Sequence, residues 1–340
     1  MGGDPSPEMR ALCDARGCTT HAYEPEIFAD QIVASFCNGE FLRRLPEIHA
    51  AGKPRCVVWA NCMTWPFDAE LAAHKSGLID RFAFQSQYQR SMLLPHLEPL
   101  APVKELASYR PYFNPQNASQ KIAWHDPESH TPAALGYFGI GRISRDDAAK
   151  YPADIWRTLA QVTAPGPVKA FMLGFGDNAK AKCGKRPPCN WLEWQTWEPG
   201  ALPVAEFWPK LHVLIHGTGG SRENWPRTII EAMAAGVVVI AENAYGLPEL
   251  IEDSVTGFLC NSSAEMSHVA SLLAWDDSIR QQVAQAAHAR FLEEHASVAR
   301  SFPAWRELLA GHEPDTDRPV VPTIADSRAV ATSPRGRNHF

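Results

Sequence analysis

The chain has 340 residues, 45% hydrophobic and 21% charged, a length that suits two domains each able to bury a core. Its 32 lysines and arginines against 38 aspartates and glutamates leave a net charge of −6, which disfavours a sequence-independent nucleic-acid binder. No apolar run reaches the roughly 18–20 residues of a membrane helix, so an integral membrane protein is excluded along with collagen-like and disulfide-framework chains.

The opening Met1-Gly-Gly-Asp-Pro-Ser-Pro7 has neither the basic nor the apolar stretch of a secretory leader, and the expected location is cytoplasmic with reduced thiols. In the first half the pattern predicts strands over 19–23, 31–36, 55–60 and 80–85. Ile32-Val-Ala-Ser-Phe36 and Cys56-Val-Val-Trp-Ala60 are continuous rather than alternating, as in strands of a parallel sheet buried on both faces. Helices fit over 7–16, 39–50, 68–76 and 87–96. Ser6 is placed to cap the first with Gly17 just past its end, and Ser86 is placed to cap the fourth. A stretch rich in proline and asparagine, from Pro111 to Pro132, reads as a linker.

The second half repeats the alternation. Strands are predicted over 134–140, 168–173, 190–194, 211–215, 237–241 and 257–260, and helices over 152–161, 226–235, 247–251, 264–274, 277–295 and 301–310. Two blocks of β-α alternation predict two doubly wound α/β domains. Cys183 and Cys189 lie too far apart for a C-x-x-C pair, and no second pair completes a zinc site, so that segment reads as a basic loop. The tail 313–340 has no periodicity and is expected to be disordered.

The most informative stretch runs from Gly217 to Gly236. A buried strand feeds a glycine-rich turn, and a helix opens near Pro226 and stops before Gly236. Unpaired N–H groups at a helix start suit an anion such as phosphate. Glu223 precedes the helix and Glu231 lies on it, eight positions on, both expected to face the mouth of the sheet. A carboxylate there accepts hydrogen bonds from adjacent hydroxyls of a ribose or a sugar. The competing reading for Glu231 is an ion pair with Arg227, four residues back.

The segment Glu223-Asn-Trp-Pro-Arg-Thr-Ile-Ile-Glu231-Ala-Met-Ala-Ala-Gly236 is followed by Val237-Val-Val-Ile-Ala241, Gly246-Leu-Pro-Glu249 and Thr256-Gly-Phe258. It resembles the donor-site signature of family 4 retaining glycosyltransferases, E-x7-E then A-M-A-x-G, a strand, and G-x-x-E. Upstream, Gly139-Ile-Gly141-Arg142-Ile-Ser144 resembles the family's first donor-domain turn, and Leu173-Gly-Phe-Gly176 its next strand-end glycines. The sequence has Tyr245 and Pro226 where the family often has glycine. The resemblance runs over roughly 8–310, most strongly from 134 onward.

The resemblance implies the GT-B fold: two Rossmann-like domains facing across a cleft. Residues 1–132 would form the acceptor-side domain with its linker, 133–295 the donor domain, and 296–312 a closing helix returning to the first domain. It implies transfer of a sugar from a nucleotide-sugar with retention of configuration, without metal or resident cofactor. Glu223, Arg142 and Lys150 would be the catalytic set, with Arg145 as the alternative second phosphate cation. Gly141, Gly176, Ser221, Glu231, Gly246 and Glu249 would bind the donor. The family's histidine after the second strand is replaced here by Asn61-Cys-Met-Thr64, with Asn61 the nearest substitute. Trp59, Trp65 and Phe67 read as half-buried core or as an acceptor wall. The acceptor would be a glycan, a lipid-linked saccharide or a small molecule. Arg81, Arg90, Lys104 and Arg110 form a basic patch suited to peripheral membrane contact. Gly2-Gly3 reads as a turn whose preceding strand is missing, so the first domain is expected to lack its first strand. A non-catalytic GT-B module that binds sugar or nucleotide is the alternative function, and another GT-B enzyme, such as a nucleotide-sugar epimerase, a third.

Overall fold

The computed structural model describes residues 7–15, 17–106, 109–114 and 122–310. Ser6, Gly2, Gly3 and the tail 313–340 lie outside the described residues. In the first half three parallel strands, β1 (Ile32–Phe36), β2 (Cys56–Ala60) and β3 (Arg81–Phe82), pair in chain order. β2 is buried along its whole length, as its continuous apolar run requires. Leu45 and Ile48 from helix Gly39–Ala51, and Leu93 and Leu97 from helix Gln87–Leu97, close over Val57 and Trp59. Asn38 caps the first of these helices by accepting from the Phe41 N–H, and Ser86 caps the second by accepting from Gln89. Beyond β3 the sheet continues through Lys104 and Leu106, each bonded to Phe82 at 2.8 Å. The other edge of β1 pairs with no strand among the described residues.

The second half holds a six-stranded parallel sheet built from β4 (Phe138–Ile143), β5 (Val168–Leu173), β6 (Glu193–Trp197), β7 (Val213–His216), β8 (Val238–Glu242) and β9 (Phe258–Cys260). Its order is β6-β5-β4-β7-β8-β9. The chain runs outward from β4 to one edge, then returns to set β7 on the other side of β4 and runs out again. The seam between β4 and β7 is therefore the topological switch point, where such sheets open a crevice at the carboxyl ends of their strands. Ile229 and Met233 of helix Arg227–Ala235 pack on one face. Leu159, Ala270 and Leu273, from helices Ile155–Ala160 and Ser263–Trp275, pack on the other. Gly236 ends helix Arg227–Ala235 at φ 83, the left-handed cap that glycine adopts without steric cost.

Four local expectations are corrected. No strand forms over 19–23. In place of a strand from 134, Thr131 caps a short helix, Pro132–Leu135, and Gly136 ends it at φ 72, so β4 starts at Phe138. A capping threonine with proline in the first turn outweighs the β-propensity of the residues after it. β6 sits three residues later than expected; it is an edge strand with exposed side chains, where the hydrophobic pattern fixes register weakly. The last helix divides into Val298–Ser301 and Pro303–Ala310, because Pro303 has no N–H to continue the first piece.

Helix Pro303–Ala310 packs against the first half: Ala304 and Leu308 lie on Cys56, Val58 and Ala60 of β2. Other contacts join the halves beside the crevice. The Ser86 hydroxyl donates to the Asn224 side chain, and the Asn224 amide donates to Gln85 at 2.9 Å. The Glu249 carboxylate accepts from the N–H groups of Gln87 and Tyr88 at 2.7 and 2.6 Å, at the start of helix Gln87–Leu97.

Candidate functional site

At the switch point the ends of β4, β5 and β7 enclose a cleft of about 540 Å³. Its walls include Ser144 and Arg145 after β4, Gly174 after β5, Lys150, His216 at the end of β7, and Glu223, Thr228 and Glu231. Pro199, Gly200 and Leu202, beyond β6, form its apolar end. The spacing of 223 and 231 places both carboxylates in this one cleft. Glu223 is 8% exposed and Glu231 4%.

Glu223 receives an ion pair from the Lys150 ammonium at 2.5 Å. Lys150 ends a short 3₁₀ turn, Ala148–Lys150, which Asp147 caps by accepting from Ala149 at 2.9 Å. Glu231 pairs with Arg227 at 3.6 Å on the same helix, so the ion pair considered as an alternative and a place on the cleft wall hold together. Arg227 also lies 5.6 Å from the Phe113 ring centroid.

Arg142 is corrected from a cation facing the cleft to an internal brace. It is fully buried, and its guanidinium donates to the backbone carbonyls of Lys150 and Ile215. It lies 5.2 Å from the centroid of Tyr151, whose hydroxyl donates to the carbonyls of Leu173 and Gly174. Arg142 and Tyr151 together tie the ends of β4, β5 and β7 to the turn that presents Lys150. Burial lowers the affinity of Arg142 for its proton and raises that of the Tyr151 hydroxyl.

Five donor-binding candidates take supporting positions outside the cleft wall. Gly141 lies inside β4, where a Cβ would strike Leu211 and the Phe171 carbonyl. Gly176 makes room for Asp146, which caps helix Asp177–Cys183 by accepting from Ala179 at 2.9 Å. Gly174 is the glycine of that pair that meets the cleft. The Ser221 N–H bonds to the backbone carbonyls of Ala149 and Thr218, both at 3.0 Å. Gly246 donates to the Glu223 carbonyl at 3.0 Å, and a side chain there would collide with the Asn224 backbone. Glu249 is turned to the other half, where it holds the start of helix Gln87–Leu97.

In the first half, Asn61 is held away from the cleft. Its amide donates to Glu70 at 2.7 Å and to the Trp65 carbonyl at 3.0 Å, and its oxygen accepts from Met63. Trp59 is fully buried with Phe67 edge-on, so the core reading holds for these two, while Trp65 is 54% exposed. In the basic patch, Arg90 pairs with Glu105 at 2.7 Å and Arg110 with Glu294 at 2.9 Å, which neutralises half of it. No helix among the described residues is long and apolar enough to cross a membrane. A second cleft of about 640 Å³, walled by Phe36, Tyr109, Trp225 and Trp305, opens between the halves and shares Arg227 with the first.

Sequence reasoning missed two residues here. Asn224 follows Glu223 and carries the bonds to Gln85 and Ser86. His216, a polar residue ending a buried strand just before a glycine, was a readable signal.

This architecture is GT-B. HepE of Anabaena, whose structure was determined in complex with UDP-glucose, is 17% identical, with 82% of this chain and 79% of that one covered and a TM-score of 0.61. Sucrose-phosphate synthase of Thermosynechococcus elongatus is 13% identical, with 90% and 77% covered and a TM-score of 0.63. A UDP-forming trehalose-phosphate synthase of Burkholderia xenovorans is 14% identical, with 85% and 74% covered and a TM-score of 0.55. No protein of curated function matches in sequence. The chain is thus a GT-B protein by its fold. Residues 204–290, from the approach to β7 through helix Asp277–Arg290, match the family of glycosyl transferases group 1.

Proposed function

We propose that the protein is a glycosyltransferase of the family 4 type, moving a sugar from a nucleotide-sugar to an acceptor with retention of configuration. The observation that carries this reading is the meeting of Glu223, Glu231 and Lys150 in one cleft at the switch point, inside the segment that matches group 1 for the two carboxylates. Glu231 would accept hydrogen bonds from the ribose hydroxyls, and Glu223 from the hydroxyls of the transferred sugar. Lys150 and Arg145, with the first turn of helix Arg227–Ala235, would hold the diphosphate and stabilise the negative charge it gains on leaving. These fixed cations would serve in place of a metal. The acceptor would attack from the side of the departing phosphate and pass its proton to it, which retains the configuration.

The UDP-glucose complex of HepE makes UDP-sugars the first donors to try. Thermal-shift titration with UDP, GDP and ADP, followed by nucleotide release from the corresponding sugars, tests the reading. Binding at 100 times the dissociation constant raises stability by about 2.7 kcal/mol. The expected results are release from one donor and loss of nucleotide binding in Glu231→Ala. Binding without any release would mark the non-catalytic module instead, and no binding at all would end both readings.

A further inference from the structure

His216 closes β7 with 3% of its surface exposed, on the cleft wall beside Lys150 and Glu223. Both of its ring nitrogens are buried without a hydrogen-bond partner among the described residues. Two other buried histidines keep one nitrogen engaged: His212 accepts from the Gly139 N–H, and His74 meets the carbonyl of Ala101. A buried polar group left unpaired costs about 1–3 kcal/mol, and His216 holds two. A strand end in a sheet this well packed would accommodate an apolar side chain at no such cost.

The position of the ring suggests what it contacts. Its charged surroundings are Arg142 behind it on β4, Lys150 on the adjoining turn and Glu223 across from Lys150. Burial and the two cations keep the imidazole neutral, with one N–H to donate and one nitrogen to accept. The Glu231 carboxylate, further along the wall, is the acceptor suited to a ribose. The floor between Lys150 and the β4–β7 seam, where His216 stands, is the place for the phosphates.

We propose that His216 is a binding residue for the donor, its ring N–H reaching an oxygen of the nucleoside diphosphate beside Lys150. This role rests on the nucleotide-sugar reading of the cleft. A neutral donor of this kind grips the phosphate without adding to the charge that Lys150 already supplies. The leaving group is then oriented by a group that does not compete for the Glu223 carboxylate.

The test compares the wild type with His216→Leu and His216→Gln, titrated with UDP, GDP and ADP and with the parent nucleosides. Wild-type binding of a diphosphate establishes the underlying reading; failure to bind any of the three overturns that reading and this inference with it. Given binding, His216→Leu should weaken the diphosphate at least tenfold and the nucleoside less than twofold. His216→Gln, which restores an amide N–H, should recover most of the loss. Without ligand, His216→Leu should melt at or above the wild-type temperature, because it removes a buried unpaired group. Equal losses for diphosphate and nucleoside, no loss for either, or a lower melting point in the unliganded Leu variant would show a structural role and overturn the proposal.

Discussion

Arg142 and Lys150 stand eight residues apart, and the structure divides their work. Lys150 meets the cleft, while Arg142 holds the backbone of the turn that presents it. The two substitutions should therefore fail differently. Lys150→Met removes a charge-assisted contact worth about 1.5–3 kcal/mol, so affinity for a nucleoside diphosphate should fall tenfold or more while the nucleoside binds as before. Arg142→Met strips the Lys150 and Ile215 carbonyls of their donor, at about 2 kcal/mol. The melting temperature should drop by roughly 4–8 °C, with the ratio of the two affinities held. A Lys150 variant that loses both ligands alike would contradict this division. Sequence reading found both carboxylates and the lysine because the E-x7-E spacing is local to one turn and one helix. It gave Arg142 to the cleft because which face of β4 a side chain takes depends on register with β5 and β7, and that pairing spans distant parts of the chain.

Among the elements, those bounded by their own chemistry were the most legible. Helix Gly39–Ala51 follows a capping asparagine, helix Gln87–Leu97 a capping serine, and helix Arg227–Ala235 ends at a left-handed glycine. Elements bounded by tertiary pairing were less so: β3 shrinks to two residues and β6 shifts. Helix Pro303–Ala310 was visible as an amphipathic run, and its place on β2 depends on which residues it buries. Leu308→Ala should cost about 2 kcal/mol, the low end for a leucine at the rim of a core. Leu309→Ala, at a position 59% exposed, should cost no more than about 0.5 kcal/mol. Denaturant titration of the two variants checks this; equal effects would mean that the helix does not bind the first half through this face.

For the whole molecule, acid is the expected weakness. His125, His130 and His212 stand in a row, ring centroids 5.5 and 4.9 Å apart, where the linker meets the second sheet. Burial pushes all three toward the neutral form. His212 falls to about 3, with the buried Arg280 adding to the effect, and burial also lowers His295 to about 4. In the unfolded chain these imidazoles take up protons near pH 6.5. Below that pH the unfolded state binds protons that the folded state refuses, so stability falls as pH drops from about 6.5 toward 3, and these groups contribute no slope above it. The melting temperature should decline steadily from pH 7 to pH 4.5, and His212→Asn should flatten the decline. A melting temperature that rises over this range would refute the assignment.

Asn224 is bonded across the cleft to Gln85 and Ser86, and it is joined by a single peptide unit to Glu223. Whatever moves the tip of the first half therefore moves the Glu223 carboxylate on the cleft wall. Two ligands that bias the same joint are energetically coupled, and the coupling is reciprocal: each changes the other's affinity by the same factor. On the nucleotide-sugar reading, a ligand in the cleft between the halves and a nucleotide beside Glu223 would therefore shift each other's affinity. Titrating the nucleotide with and without an acceptor present would read that shift. In Asn224→Ala that shift should shrink, because the joint that carries it is cut.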